Sequence, residues 1–221
     1  MTNFFDKLNC IKKIDNGKIL EIIYQNYLIE LKLVDINDDT VNLLYSLRKQ
    51  FRNMFATDFV MTKSKTKQWI KKDILENKER VLFMIYVDGE KIGCIGNGGY
   101  DIQKNSSRLD NMMKDPTCEI RGIMTIIEKV YLKWMFDCFQ LSKITGYLFS
   151  DNEKMMMIHK KCGWILLDKV PLKKTYNENG SRWEIDNSNE KKSERCYNII
   201  ELTKENLMEN FKDIEYKEYY G

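Results

Sequence analysis

A single histidine, no C-x-x-C pair and no apolar run of membrane-spanning length set the first limits on this chain of 221 residues. With one imidazole and six scattered cysteines (Cys10, Cys94, Cys118, Cys138, Cys162 and Cys196), a zinc site lacks clustered ligands, and no metal is expected. Cysteines spaced this widely read as free thiols of a reducing compartment. The opening MTNFFDKLNCIKKIDNGK is broken by charges and offers no apolar signal core. The expected location is therefore cytoplasmic, without membrane contact. Charge of one sign is scarce as well. The 36 basic residues against 33 acidic ones leave +3, too little for a nucleic-acid-binding footprint. Internal repeats and low-complexity tracts are missing too.

What is present is globular: 43% hydrophobic and 12% aromatic residues, in a chain long enough for one large domain with appendages. Residues 1–26 read as an N-terminal extension. Phe4, Phe5, Leu8 and Ile11 share a helical face there, and Ile19 to Asn26 stays open between strand and helix. YLIELKLVDI (27–36) alternates as a strand, and Val41, Leu44, Leu47 and Phe51 then mark one helix face. A loop rich in Met and aromatic side chains leads to a second helix over 65–77. VLFMIYV (81–87) belongs centrally in a sheet. Asp88-Gly89 turns it into a partner over 91–96, and Asn97-Gly98-Gly99 breaks or bulges that partner before a turn at Tyr100 to Lys104.

The stretch from Leu109 to Trp164 is the organising centre. A strand over 106–112 leads through a polar loop to Arg121-Gly122 and a long helix over 125–139. An alternating strand over 141–149 then meets Asp151-Asn152, which caps a helix closed by Gly163. Strands over 164–172 and 182–185 form a hairpin, 187–195 reads as a polar linker, and the tail from Cys196 holds one amphipathic piece. The order predicts an α/β (α+β) fold with a mixed, mostly antiparallel central sheet flanked by helices. Its limits are drawn at 1–26 for the extension, 27–186 for the domain and 187–221 for linker and tail. A helix N-terminus that opens toward a strand end, with Gly122 for close approach and Arg121 for charge, suits a phosphate or pyrophosphate.

Three short matches carry a family resemblance: Gly-Ile-Met at 122–124, Asp-Asn-Glu-Lys at 151–154, and Cys-Gly-Trp at 162–164, where a Gly-Phe pair is usual. With the element order, they make residues 27–185 resemble the GNAT superfamily of N-acetyltransferases, which use acetyl-coenzyme A. Leu109-Asp110-Asn111 before Gly-Ile-Met, Arg48 and Arg52 in the first helix, and Gln68-Trp69 are similar to the branch that acetylates amino groups of nucleotide-linked sugars.

The resemblance implies acetyl-CoA as co-substrate and a small-molecule amine as acceptor. It implies a cofactor site at Asn111, Met112, Met113, Arg121, Gly122, Ile123, Met124 and Asn152. Arg48, Arg52, Trp69 and Tyr100 are the implied acceptor residues, with Phe51 and Phe55 as a further apolar wall. The family's usual proton-donating tyrosine lies seven residues after Asn152, and this chain places His159 there. Imidazolium is acidic enough to protonate a thiolate; a half-buried histidine with a backbone partner is the structural alternative. Asp110 is the candidate base, with a salt-bridge partner for Arg108 as its rival reading; Asp101 is weaker. Glu119 departs from the family's basic or amide residue in the phosphate loop, so the backbone amides of 120–124 carry the expected pyrophosphate contact. A peptide or protein amine as acceptor, or a coenzyme A-binding module without catalysis, stand as alternatives. A homodimer is compatible with all of these readings.

Overall fold

Burial runs at period two through residues 27–33 and 195–202, whereas 81–87 is buried on both faces, as a central strand is. The computed structural model describes residues 3–14, 17–178, 180–188 and 195–220. β1 (Lys18–Tyr24) and β2 (Tyr27–Leu33) form a hairpin about Gln25-Asn26, both with positive φ, as a two-residue turn of primed type requires. β3 (Thr57–Phe59), β4 (Val81–Val87), β5 (Glu90–Asp101), β6 (Ser106–Lys114), β7 (Lys143–Phe149), β8 (Ile165–Asn177), β9 (Gly180–Ile185), β10 (Arg195–Leu202) and β11 (Glu215–Glu218) follow. They make one 11-stranded sheet in the order β11-β1-β2-β4-β5-β6-β7-β10-β8-β9-β3. Every pairing is antiparallel except β6 with β7. The mixed, mostly antiparallel sheet flanked by helices is the architecture expected from the sequence.

The helices are α1 (Phe4–Ile11), α2 (Asp38–Gln50), α3 (Lys63–Trp69, continuing as a π-helical turn over Ile70–Leu75), α4 (Ile123–Phe139), α5 (Glu153–Lys161) and α6 (Lys204–Asn210). α1, α4, α5 and α6 contribute to a large core on one sheet face, with Trp134, Tyr131 and Phe136 fully buried. α2 and the α3 region build a smaller core on the other, where Leu44, Leu47, Ile70 and Ile74 meet Leu82, Met84 and Met113. None of the described helices is long and apolar enough to cross a membrane.

Three local expectations are corrected. The strand after Asp88-Gly89 does not end at Asn97: β5 runs to Asp101, with register shifts absorbing the glycines, so Tyr100 is a strand residue. The loop before α3 contributes β3, which pairs with β9. The tail is not a single amphipathic piece. Asn198, Ile200 and Leu202 are buried at period two, the signature of a strand, and the helix begins only after the Thr203 cap. The expected linker over 187–195 lies mostly outside the described residues.

β10 sits between β7 and β8, so the tail strand completes the sheet beside the centre of the fold. Ile200 fills the space left by Gly146; a β-carbon there would meet Ile200 Cγ1 at 2.9 Å. Ile200→Ala is expected to cost about 2–5 kcal/mol in urea unfolding, the range for a fully buried aliphatic truncation. A loss below about 1 kcal/mol would mean that β10 is not part of the cooperative core.

Candidate active site

β6 and β7 run side by side for three residue pairs only: Ser106 with Lys143, Ser107 with Ile144, and Arg108 with Thr145. Beyond Arg108 the two strands part. The bend has a local cause. The β5–β6 register shifts between Cys94 and Gly96, and Asn111 sits in left-handed backbone at φ 52°, a bulge of the kind that bends a strand and re-aims its side chains. Cys94 Sγ donates to the Asn111 carbonyl at 3.1 Å. Met112 packs into the larger core and Met113 into the smaller, which anchors the segment on both sheet faces. Asn111, Met112 and Met113 therefore present an unpaired strand edge toward the gap.

The N-terminus of α4 begins at Gly122, which takes φ 77° and caps the helix without a side chain. Thr125 and Ile126 donate back to the Gly122 carbonyl, whereas the amides of Ile123 and Met124 have no partner among the described residues. Two free N–H groups at a helix start, beside the exposed Arg121, suit a pyrophosphate. Glu119 is exposed as well. Tyr24, from the β1–β2 hairpin, fixes this loop by donating its hydroxyl to the Arg121 carbonyl at 3.1 Å. A β-carbon on Gly122 would lie 2.8 Å from that hydroxyl. Lys114 ties the other limb of the loop to the carbonyls of Asp115 and Cys118. Tyr24 is 97 residues from its partner, and no local pattern signals the contact.

Asn152 accepts from the Met155 amide at 3.3 Å and so caps α5. About two turns on, His159 is 5% exposed and faces α4. Its partner is a side chain, not backbone: Nδ1 lies 2.6 Å from Glu128 Oε1. The same oxygen accepts the Trp164 indole N–H at 2.8 Å. Sequence spacing placed His159 on this helix but gave no reason to single out Glu128, which reads as one charge on a long apolar helix.

Asp110 lies where the strands separate. Its Oδ2 accepts from Arg80 at 3.0 Å and its Oδ1 from the Asn111 amide at 2.9 Å. Arg80 is the salt-bridge partner, and Arg108 instead donates to the Gly98 carbonyl. Arg108 and Asp110 still crowd Gly98, where a β-carbon would meet both at 2.9 Å. Asp101 lies at the far end of β5 and pairs with Lys104.

On the same side of the sheet as α2 lies a cleft of about 670 Å³. It is lined by the end of α2 (Tyr45, Arg48, Lys49), by Arg52 in the turn that follows, by β3 and the residues after it, and by the β8–β9 hairpin. A smaller adjoining cleft of about 420 Å³ shares Arg52, Asp58 and Lys174 and reaches Phe55, Trp183, Arg195 and Asp151, next to the Asn152 cap. Arg48 lies 3.4 Å from the Phe55 ring centre and donates to the Thr57 carbonyl and hydroxyl. Burial pulls its pKa down to about 10, against the opposing pull of Asp110 and Asp58, so it remains cationic at neutral pH. Arg52 grips Asp58 at 2.8 and 2.9 Å, and that carboxylate holds the guanidinium pKa above its ordinary value. Arg48 and Arg52 are thus brought together in one cleft, but Trp69 and Tyr100 are not. Trp69 and Phe51 pack on the smaller core, and Tyr100 stacks on Phe4 at 4.0 Å with its hydroxyl on Asn105.

Burial pushes the thiols of Cys94 and Cys162 far up and that of Cys138 up to about 11, which keeps these three cysteines protonated and unfit as nucleophiles.

Comparison with known proteins agrees with this fold. A model of the acetyltransferase (GNAT) domain matches residues 30–165. Spermidine N-acetyltransferase from Vibrio cholerae, solved with CoA and spermine, shares the fold at TM-score 0.64 and 11% identity, covering 81% of this chain and 98% of its own. A dodecameric form of the enzyme in an intermediate state gives TM-score 0.61 at 11% identity, over 83% of this chain and 98% of its own. No curated protein matches the sequence significantly.

Gly122→Ala puts a side chain into left-handed backbone, at a cost of about 1–2 kcal/mol, and drives it onto Tyr24. The affinity for coenzyme A in calorimetric titration is expected to fall about tenfold, the equivalent of that cost. Unchanged affinity would show that the loop is not the pyrophosphate anchor.

Proposed function

The chain belongs to the GNAT acetyltransferase family, an acetyl-CoA-dependent N-acetyltransferase, and we propose that the amine it acetylates is carried on an anionic small molecule such as a nucleotide-linked amino sugar. The observation that carries this reading is the charge of the acceptor cleft. Arg48, Lys49, Arg52 and Lys174 line it against only Asp58 and Glu178. A diphosphate is attracted there, and guanidinium groups can grip it in bidentate fashion. The Arg52–Asp58 pair is solvent-exposed, with the Arg52 side chain at 62%, so it contributes little and exchanges easily for a phosphate. Phe55 and Trp183 flank the adjoining cleft and offer ring faces to a base or sugar. A polyamine, the substrate class named for the structurally similar enzymes, carries the wrong charge for such a lining.

Acetyl-CoA supplies the acetyl group as an activated thioester. The chain's residues orient it and handle the protons. The Ile123 and Met124 amides and Arg121 hold the pyrophosphate, and the open edge of β6 over Asn111–Met113 pairs with the extended arm and polarises the thioester carbonyl. Asn152 stabilises the start of α5 through its cap and so helps set where His159 lies.

Asp110 takes a proton from the acceptor ammonium, directly or through a water, since both of its oxygens already accept hydrogen bonds. The freed amine nitrogen bonds to the carbonyl carbon as the carbon–sulfur bond breaks. His159, as imidazolium, gives its Nε2 proton to the departing sulfur. The nitrogen loses a second proton as the amide forms, and His159 is recharged from water. Net, one proton goes to sulfur and one to solvent.

Thiol release is expected with a nucleotide-linked amino sugar and not with spermidine or a peptide amine. Robust turnover on spermidine alone would overturn the acceptor assignment. His159→Ala is expected to lower kcat about 100-fold or more, the range for loss of a general acid. Arg52→Ala is expected to raise the acceptor KM roughly tenfold with kcat little changed, as for a group that binds ground and transition states alike.

A further inference from the structure

Glu128 has no place in the reading above. It is nevertheless the most completely buried charged side chain among the described residues, at 0% exposure in the middle of an apolar helix. A carboxylate there is costly unless its hydrogen bonds do something for the fold or the site. As a structural element it is poorly served. Both of its bonds fall on Oε1, from His159 Nδ1 at 2.6 Å and Trp164 Nε1 at 2.8 Å, and Oε2 is enclosed without a partner.

The arrangement makes sense as a device for the imidazole. A carboxylate on Nδ1 fixes the proton on that nitrogen and sets the ring's orientation, which leaves Nε2 as the nitrogen that can meet a substrate. Trp164 holds the carboxylate in turn, and its ring packs 5.3 Å from the imidazole. Among the described residues His159 Nε2 has no hydrogen-bond partner. It is not among the fully enclosed unpartnered polar atoms, which among the described residues are Arg80 Nε, Glu128 Oε2 and Tyr131 OH, so it keeps an opening. The other titratable neighbour is Cys162, whose thiol is pushed up by burial first and then by the Glu128 charge, so it does not compete for the proton. His159 and Trp164 also stand where the family usually has tyrosine and phenylalanine. Each supplies a ring N–H to the one carboxylate.

We infer that Glu128 is the positioning residue for His159: it locks Nδ1–H and the orientation of the ring, so that Nε2 is the nitrogen turned toward the departing sulfur. This rests on the proposed role of His159 as proton donor, and it adds a residue on a different helix to that role.

A single histidine makes the test site-specific. With 15N-labelled histidine, the wild-type protein is expected to show a proton retained on Nδ1 in strong hydrogen bonding, and Glu128→Gln to lose that signature. In the transfer assay, Glu128→Gln is expected to lower kcat roughly 10- to 100-fold, the scale for groups that orient a functional imidazole, with the KM for acetyl-CoA nearly unchanged. In the double variant with His159→Gln, Glu128→Gln is expected to cost nothing further, because the two act as a unit.

The inference is overturned if the wild-type Nδ1 carries no proton, a result that needs no variant to fold. It is also overturned if Glu128→Gln keeps wild-type kcat while His159→Gln is inactive, or if it lowers activity by the same factor with and without His159. A His159→Gln protein as active as wild type would overturn the proton-donor role itself, a result distinct from loss of the Glu128 contribution alone.

Discussion

The parting of β6 from β7 is the constraint on which the rest of the structure depends. A gap between neighbouring strands in the middle of a sheet leaves backbone donors and acceptors without their ladder partners, which a fold tolerates only where something else completes them. Here the gap begins after Arg108, and its surroundings hold it open. The Asn111 bulge turns β6 away, Met112 and Met113 anchor it in separate cores, and β10 closes the far side of β7 so that it does not drift back. Asn111 takes left-handed backbone at φ 52°, which asparagine tolerates better than other residues with a side chain, and the bulge it makes sets the bend of β6.

Around that gap, parts from distant stretches of chain take complementary tasks. The start of α4 offers amides, and the N-terminal hairpin pins the loop before it through Tyr24. The start of α5 is capped by Asn152, and its last turn carries an imidazole tied to a carboxylate on α4. The cleft proposed for the acceptor is built by the end of α2, β3 and the β8–β9 hairpin, and Arg48 feels the Asp110 charge. On the reading proposed, binding energy for both substrates is spent at charged ends, and proton transfers occur where the strands diverge.

The fold was legible wherever a period ran uninterrupted: VLFMIYV, the α4 stripe and the Asn152-to-Gly163 helix all stand within a few residues of expectation. The misses have physical causes. Residues 195–202 are a buried strand that alternates Asn with Ile and Leu, and the following helix blurred that period. The glycines at 98–99 leave a break or a bulge open; pairing with β6 shifts register between Asn97 and Tyr100 and carries β5 on to Asp101 where a turn is expected. For the proposed site, residues near the central unit could be named from spacing, because the roles proposed for most of them are backbone roles that follow local order. Tyr24 and Glu128 could not, since each matters only through a partner that tertiary packing supplies. Trp69 and Tyr100 failed to reach the cleft because an aromatic residue on an amphipathic element is first a packing residue.

The position of the sulfur in a crystal structure with bound coenzyme A tests the account most directly. The account predicts the coenzyme's arm between β6 and β7, its pyrophosphate at the Ile123 and Met124 amides, and its sulfur within about 3.5 Å of His159 Nε2, the reach of a thiol hydrogen bond. A sulfur far from His159, with the imidazole sealed behind Glu128 and Trp164, would contradict it and leave the histidine a core residue.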